Sequence, residues 1–160
     1  MNPVIEFFKD FFSNYLLMSA LSGWFIAQVV KTIICLFNKE KVGLSMLLFS
    51  NGGMPSSHSA TVSALAVSIG LTEGFASPFF AVAFLFAYIV MYDAAGVRRE
   101  TGEQAKILNK MLIDFTEGHT DEMPKQLKEL VGHTPLQVFA GAVLGIAIAI
   151  AAKFIVYGTL

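Results

Sequence analysis

Four stretches of this chain carry no Asp, Glu, Lys or Arg: Phe11 to Val30, Val42 to Thr72, Gly74 to Tyr92 and Leu130 to Ala152. A helix needs roughly 20 apolar residues to cross the hydrocarbon core of a bilayer. The spacing of charges therefore predicts an all-α integral membrane protein with about four transmembrane helices, placed at Tyr15 to Phe37, Pro55 to Leu71, Pro78 to Val97 and Pro135 to Tyr157. Asn14 reads as a helix cap, and Pro55 and Pro135 read as first-turn prolines. Composition agrees, with 55% hydrophobic and 14% charged residues. The 160 residues, free of repeats and low-complexity linkers, read as one membrane-embedded domain over 1–160. The single cysteine, Cys35, rules out an internal disulfide framework. The opening MNPVIEFFKDFF carries Glu6, Lys9 and Asp10 and lacks the basic start of a secretory signal, so the first apolar helix is expected to be retained. A net charge of -1 offers no global basic field, and no nucleic-acid partner is expected.

Residues 98–132 break the pattern. Here Ile107, Leu108, Met111, Leu112 and Phe115 recur at helical spacing among charged residues. They predict an amphipathic helical arm between the third and fourth spans: an extension of the third helix, a turn at TEGHTDEMP and a short helix Lys125 to Leu130. A solvated membrane-surface arm and an active-site lid fit this pattern equally.

Alternate crossings bring the end of the first span, the start of the second, the end of the third and the start of the fourth to one membrane face. Eight basic residues lie on that side outside the spans (Lys39, Lys41, Arg98, Arg99, Lys106, Lys110, Lys125, Lys128), against Lys9 and Lys153 on the other. The positive-inside tendency makes that face cytoplasmic. If Lys39, Arg98 and Arg99 serve chemistry instead, the ratio falls to five against two.

The same face collects the reactive side chains. Lys31 lies inside the first span, where a lysine costs on the order of 3 kcal/mol and so faces the bundle interior or snorkels to the near interface. Asp93 is a carboxylate inside an apolar span, read either as a catalytic group or as an ion-pair partner of Arg98 or Lys31. His58 and His133 each stand at a helix amino terminus, a place for a cap or for a catalyst. In GGMPSSH, residues 52–58, Gly52 and Gly53 permit close backbone approach, Ser56 and Ser57 add hydroxyls, and the helix start presents N–H groups that bind anions. Cations, N–H groups and hydroxyls together describe a phosphoryl site. One neutral imidazole can attack phosphorus while the other, protonated, gives a proton to the leaving alkoxide. No metal or cofactor is required, and a site of His58, His133 and Asp93 lacks metal-ligand spacing.

The order of a helical lysine, PSSH, an arginine at a helix end and GHTPLQVFAGAVLG resembles the type 2 phosphatidic acid phosphatase superfamily, whose motifs are K-x6-R-P, P-S-G-H and S-R-x5-H-x3-D. The runs GGMPSSHSATVSALAVSIGL, MYDAAGVRRETGEQAKILN and LVGHTPLQVFAGAVLG are most similar to its divergent branch, over about Ala27 to Ile150. The resemblance implies His133 as the phosphorylated nucleophile, His58 as the general acid, and Lys31, Lys39, Ser56, Ser57, Arg98 and Arg99 around the phosphoryl group. Three positions depart from the pattern. Gln137 replaces the aspartate four residues after the nucleophile and would orient the imidazole without charge, with Asp93 a substitute carboxylate. Leu127 replaces the arginine six residues before it, the Arg98 and Arg99 pair lying upstream of the arm. Lys39 replaces the first motif's arginine, one residue further from Lys31.

The resemblance implies a metal-independent lipid phosphate phosphatase, a phosphoric monoester hydrolase, in the plasma membrane. A phosphatidylglycerophosphate-like phosphomonoester suits a cytoplasmic site, with phosphatidic acid and isoprenyl diphosphate open. The alternative is a protein that binds or moves phosphorylated lipids without hydrolysing them. A homodimer is expected to help shield so small a helical unit.

Overall fold

The computed structural model describes residues 2–38, 53–116 and 132–158. Six helices form among these residues: α1 (Pro3–Ser13), α2 (Tyr15–Phe37), α3 (Ser57–Glu73), α4 (Pro78–Ala95), α5 (Val97–Thr116) and α6 (Pro135–Tyr157). There is no strand among the described residues.

Side-chain caps set the helix starts. Asn14 accepts the N–H of Leu17 and opens α2, while its own extended backbone closes α1. Ser77 accepts the N–H of Phe80 ahead of Pro78. Thr134 and Gln137 form a reciprocal capping box around Pro135. The expected bounds of α2 and α6 are those observed. The second span is shifted: Ser56 accepts the N–H of Ser59 and is the cap, so Pro55 stands before the helix and not in its first turn, and α3 runs to Glu73. The third ends at Ala95, where Gly96 interrupts the helix before α5. Helix α5 is the amphipathic extension expected of the arm, with Ile107, Leu108 and Met111 exposed and Lys106 paired to Glu103 at 3.0 Å. The expected turn and short helix beyond it lie outside the described residues.

Among the described residues three segments are long and apolar enough to cross a membrane: Tyr15–Phe37, Pro78–Asp114 and Pro135–Ile155. Helix α3 has 17 residues, at the short limit for a crossing helix. It is the hub, packing against α2, α4 and α6, whereas α4 touches α6 only slightly and does not pack on α2.

The packing inverts that of a water-soluble protein. Small side chains fill the centre: Ala27, Ser56, Ser59, Ala60, Ala64, Ser68 and Ala149 are fully buried. Large apolar ones, among them Phe25, Phe79, Val82, Phe86, Ile89, Phe139 and Ile155, point outward. Small residues let helix backbones approach in lipid, where van der Waals contact and not water exclusion drives association. Gly141 and Gly145 on α6 face the backbone of α3 at Ser56 and Ala60, and a Cβ at Gly23 on α2 would sit 2.9 Å from the Ala60 carbonyl oxygen. Hydroxyls along α3 bond back to their own helix: Thr61 Oγ1 donates to Ser57 O at 2.7 Å, Ser68 Oγ to Leu65 O at 2.9 Å and Thr72 Oγ1 to Ser68 O at 2.8 Å. At the far end of α3, Lys153 donates to Leu71 O at 3.3 Å, where a cation suits a helix carboxyl terminus. Its ammonium lies 5.6 Å from the Tyr15 ring centre, and the Tyr15 hydroxyl donates to Ala149 O at 2.8 Å.

Candidate active site

The site lies at the end of the bundle where α3 and α6 begin and α2 and α4 finish. On α2, Ser19, Gly23, Ala27, Lys31 and Cys35 recur every four residues and are all buried. This stripe puts Lys31 inside the bundle and not on the lipid face, with the side chain 3% exposed. Its aliphatic stem runs under Gly53, where a Cβ would lie 3.5 Å from Lys31 Cγ. Gly53 has φ +79°, which only glycine adopts without strain. The loop leading into PSSH therefore rests on Lys31.

Two backbone hydrogen bonds join the motifs. The Ser56 N–H donates to Gln137 O at 3.0 Å, tying the start of α3 to the first turn of α6. The His133 N–H donates to Ala94 O at 3.1 Å, tying the start of α6 to the last turn of α4 beside Asp93. As a result the His58 and His133 rings stand 6.4 Å apart between centroids, tilted by 56°. Rings at this separation can approach one phosphoryl group from two sides, one nitrogen toward phosphorus and the other within hydrogen-bond reach of an ester oxygen.

The two rings differ in setting. His133 is buried, and its Nδ1 lies 3.4 Å from Gln137 Oε1. That oxygen also accepts the Thr134 N–H at 3.0 Å, so it is fixed by the helix cap. A ring whose Nδ1–H donates to this oxygen keeps its Nε2 lone pair for other use. His58 is exposed, at the mouth of α3. Ser56 is fully buried, and its Oγ accepts from both the N–H and the Oγ of Ser59, the latter at 2.9 Å. Its hydroxyl thus holds the loop, and Ser57, the first residue of α3, is buried beside it. Asp93 is half-buried at the last turn of α4, and Arg99 is exposed in the first turn of α5, five residues beyond Ala94. Lys39 and the side chain of Arg98 fall outside what is described. Among the described residues no three His, Cys, Asp or Glu side chains gather to hold a metal ion.

Two contributors escaped the sequence: the carbonyl of Ala94, which has no residue signature, and Gly141, whose signal was its four-residue spacing from Gly145.

Residues 12–148 match the family model described as the Divergent PAP2 family, and this interval holds Lys31, His58, Asp93, His133 and Gln137. The chain belongs to the Divergent PAP2 family. It is also 44% identical over 147 residues to the uncharacterized membrane protein YuiD of Bacillus subtilis (strain 168), covering 86% of this chain and 92% of the relative. No solved structure matches. The family match extends over every helix that builds the site, and it leaves out nearly all of α1.

The double role of Gln137 leads to an expected result within this family framework. Gln137→Ala removes half of the capping box, costing about 1 kcal/mol, and frees the His133 ring. Gln137→Glu keeps both hydrogen bonds and adds a charge facing the ring. Thermal melting is expected to show Glu near wild type and Ala lower, and any turnover is expected to rank Glu above Ala. Equal turnover in the two variants would leave Gln137 with a capping role alone.

Proposed function

We propose that this protein is a membrane phosphatase that removes the phosphate of a lipid phosphomonoester through a phosphohistidine. The observation that carries this reading is the pair of imidazoles 6.4 Å apart, one buried with Nδ1 facing an amide oxygen and the other open. His133 Nε2 attacks phosphorus as the ester P–O bond breaks, and protonated His58 gives its proton to the departing alkoxide. Water then attacks the phosphorus of phosphohistidine, giving its proton to His58, and inorganic phosphate leaves with His133 restored. Lys31, Ser57 and the α3 amino terminus stabilise the equatorial oxygens, with Lys39, Arg98 and Arg99 as further cations. Asp93 offers the carboxylate that Gln137 does not, and full activity in Asp93→Asn would remove it from the scheme.

A site level with the headgroups suits an amphiphilic substrate whose tails stay in lipid. The basic residues around this face support a cytoplasmic orientation in the plasma membrane, and a phosphatidylglycerophosphate-like lipid fits that side. The uncharged Gln137 favours one second reading, a carrier that binds phosphorylated lipids without cleaving them. Purified protein incubated with phosphatidylglycerophosphate, phosphatidic acid and isoprenyl diphosphate separates the two. Release of inorganic phosphate with an acid-labile phosphoprotein supports the phosphatase, and tight binding without release supports the carrier.

Lys31 has its own expected result. A hydrogen bond to a charged group is worth about 1.5–3 kcal/mol, so Lys31→Met should lower kcat/KM by about 10- to 150-fold. Phosphate release against substrate concentration measures this, and an unchanged kcat/KM would assign Lys31 to packing.

A further inference from the structure

Helix α1 is unlike the rest of the molecule. At about 100° per residue, Val4, Ile5, Phe7, Phe8, Phe11 and Phe12 fill an arc of about 160°, and Glu6, Lys9, Asp10 and Ser13 fill the opposite side. None of its residues is buried. Phe7 is 62% exposed and Phe12 61%, and the rings touch one another, Phe8 stacking on Phe12 at 6.4 Å and Phe7 meeting Phe8 edge-on at 5.5 Å. Among the described elements α1 packs only on α2. Its break from α2 is the single extended residue Asn14, directly before the first residue of a span.

We infer that α1 is an in-plane anchor, seated in the boundary between headgroups and acyl chains of the leaflet opposite the two histidines. Helix α1 is joined by Asn14 alone to the first residue of the α2 span, so the bilayer that α2 crosses lies within reach of its apolar arc. An amphipathic helix with aromatic residues on one face and charges on the other buries that face a few ångströms below the headgroups. The anchor sets a depth. With Tyr15 held at one boundary, Lys31 lies sixteen residues on, about 24 Å across the membrane and near the opposite headgroup level. This placement is independent of whether the histidine pair hydrolyses anything.

The test uses the full chain with Cys35→Ser, carrying a nitroxide at Phe8→Cys, Phe12→Cys, Glu6→Cys or Asp10→Cys, in phosphatidylcholine and phosphatidylglycerol vesicles. All four positions are exposed, so the labels leave the bundle packing intact. Collision with oxygen, which concentrates in lipid, is compared with collision with a water-soluble nickel chelate. The expected result is an oxygen-to-nickel ratio several-fold higher at positions 8 and 12 than at 6 and 10. Nickel access at all four positions would place α1 in water and overturn the inference. Shielding of positions 8 and 12 from both agents would also overturn it, because protein and not lipid would then cover the face.

Discussion

His133→Ala is expected to lower phosphate release on the order of 10⁴-fold or more and to abolish the acid-labile phosphoprotein, since the imidazole that takes the phosphoryl group is then gone. His58→Ala should lower it by about 10²- to 10⁴-fold, the usual worth of a general acid. The two losses differ in kind. A nitrophenolate leaves without a proton, so a nitrophenyl ester of the phosphate should recover much of the His58→Ala loss and none of the His133→Ala loss. The buried setting of His133 and the exposed one of His58 underlie this assignment. Recovery in His133→Ala instead would reverse the two roles.

Gly145→Leu is expected to prevent the bundle from assembling, and Gly145→Ala to destabilise it clearly. Even a Cβ at Gly145 would collide with the Ala60 carbonyl and come within 2.9 Å of Ala64 N, and one at Gly141 would meet Ser56 O and lie 3.0 Å from Ser59 Cβ. Backbone atoms cannot rotate away, so α3 and α6 must separate. Overpacking costs about 1–3 kcal/mol, while alanine in place of glycine in a helix gains about 1 kcal/mol. At Gly23 the clash is smaller, with Ala60 O at 2.9 Å and Ala64 Cβ at 3.2 Å, so less of the packing must shift. Thermal unfolding in detergent should therefore rank Gly23→Ala below wild type and the Gly141 and Gly145 alanine variants lower still. The same melting temperature for all three would refute close α3 to α6 packing.

Much of this architecture was written in the spacing of charges and caps. The starts of α2 and α6 were legible because Asn14 and Pro135 act locally. The start of α3 was displaced because Pro55 resembles a first-turn proline, whereas the decisive event is the hydrogen bond from Ser59 to Ser56. Helix α1 escaped a search for charge-free runs because a helix lying in an interface must carry charges on its wet side; its 3.6-residue period was the available signal. The meeting of His58 and His133 could be anticipated from alternate crossings alone. Their mutual orientation could not, because it depends on main-chain bonds to Gln137 O and Ala94 O that any residue type could supply.

The hub helix is clamped to α6 at both extremities, by the Ser56 N–H at one and by the Lys153 ammonium at the other. Both imidazoles are therefore carried by this one clamped helix pair, and the His133 N–H ties the pair to α4 as well. Lys31 and Asp93 belong to α2 and α4, which do not pack on each other. The two charged side chains thus stand on separate helices, each joined to the pair by its own contact, the Lys31 stem under Gly53 and the Ala94 carbonyl beside Asp93.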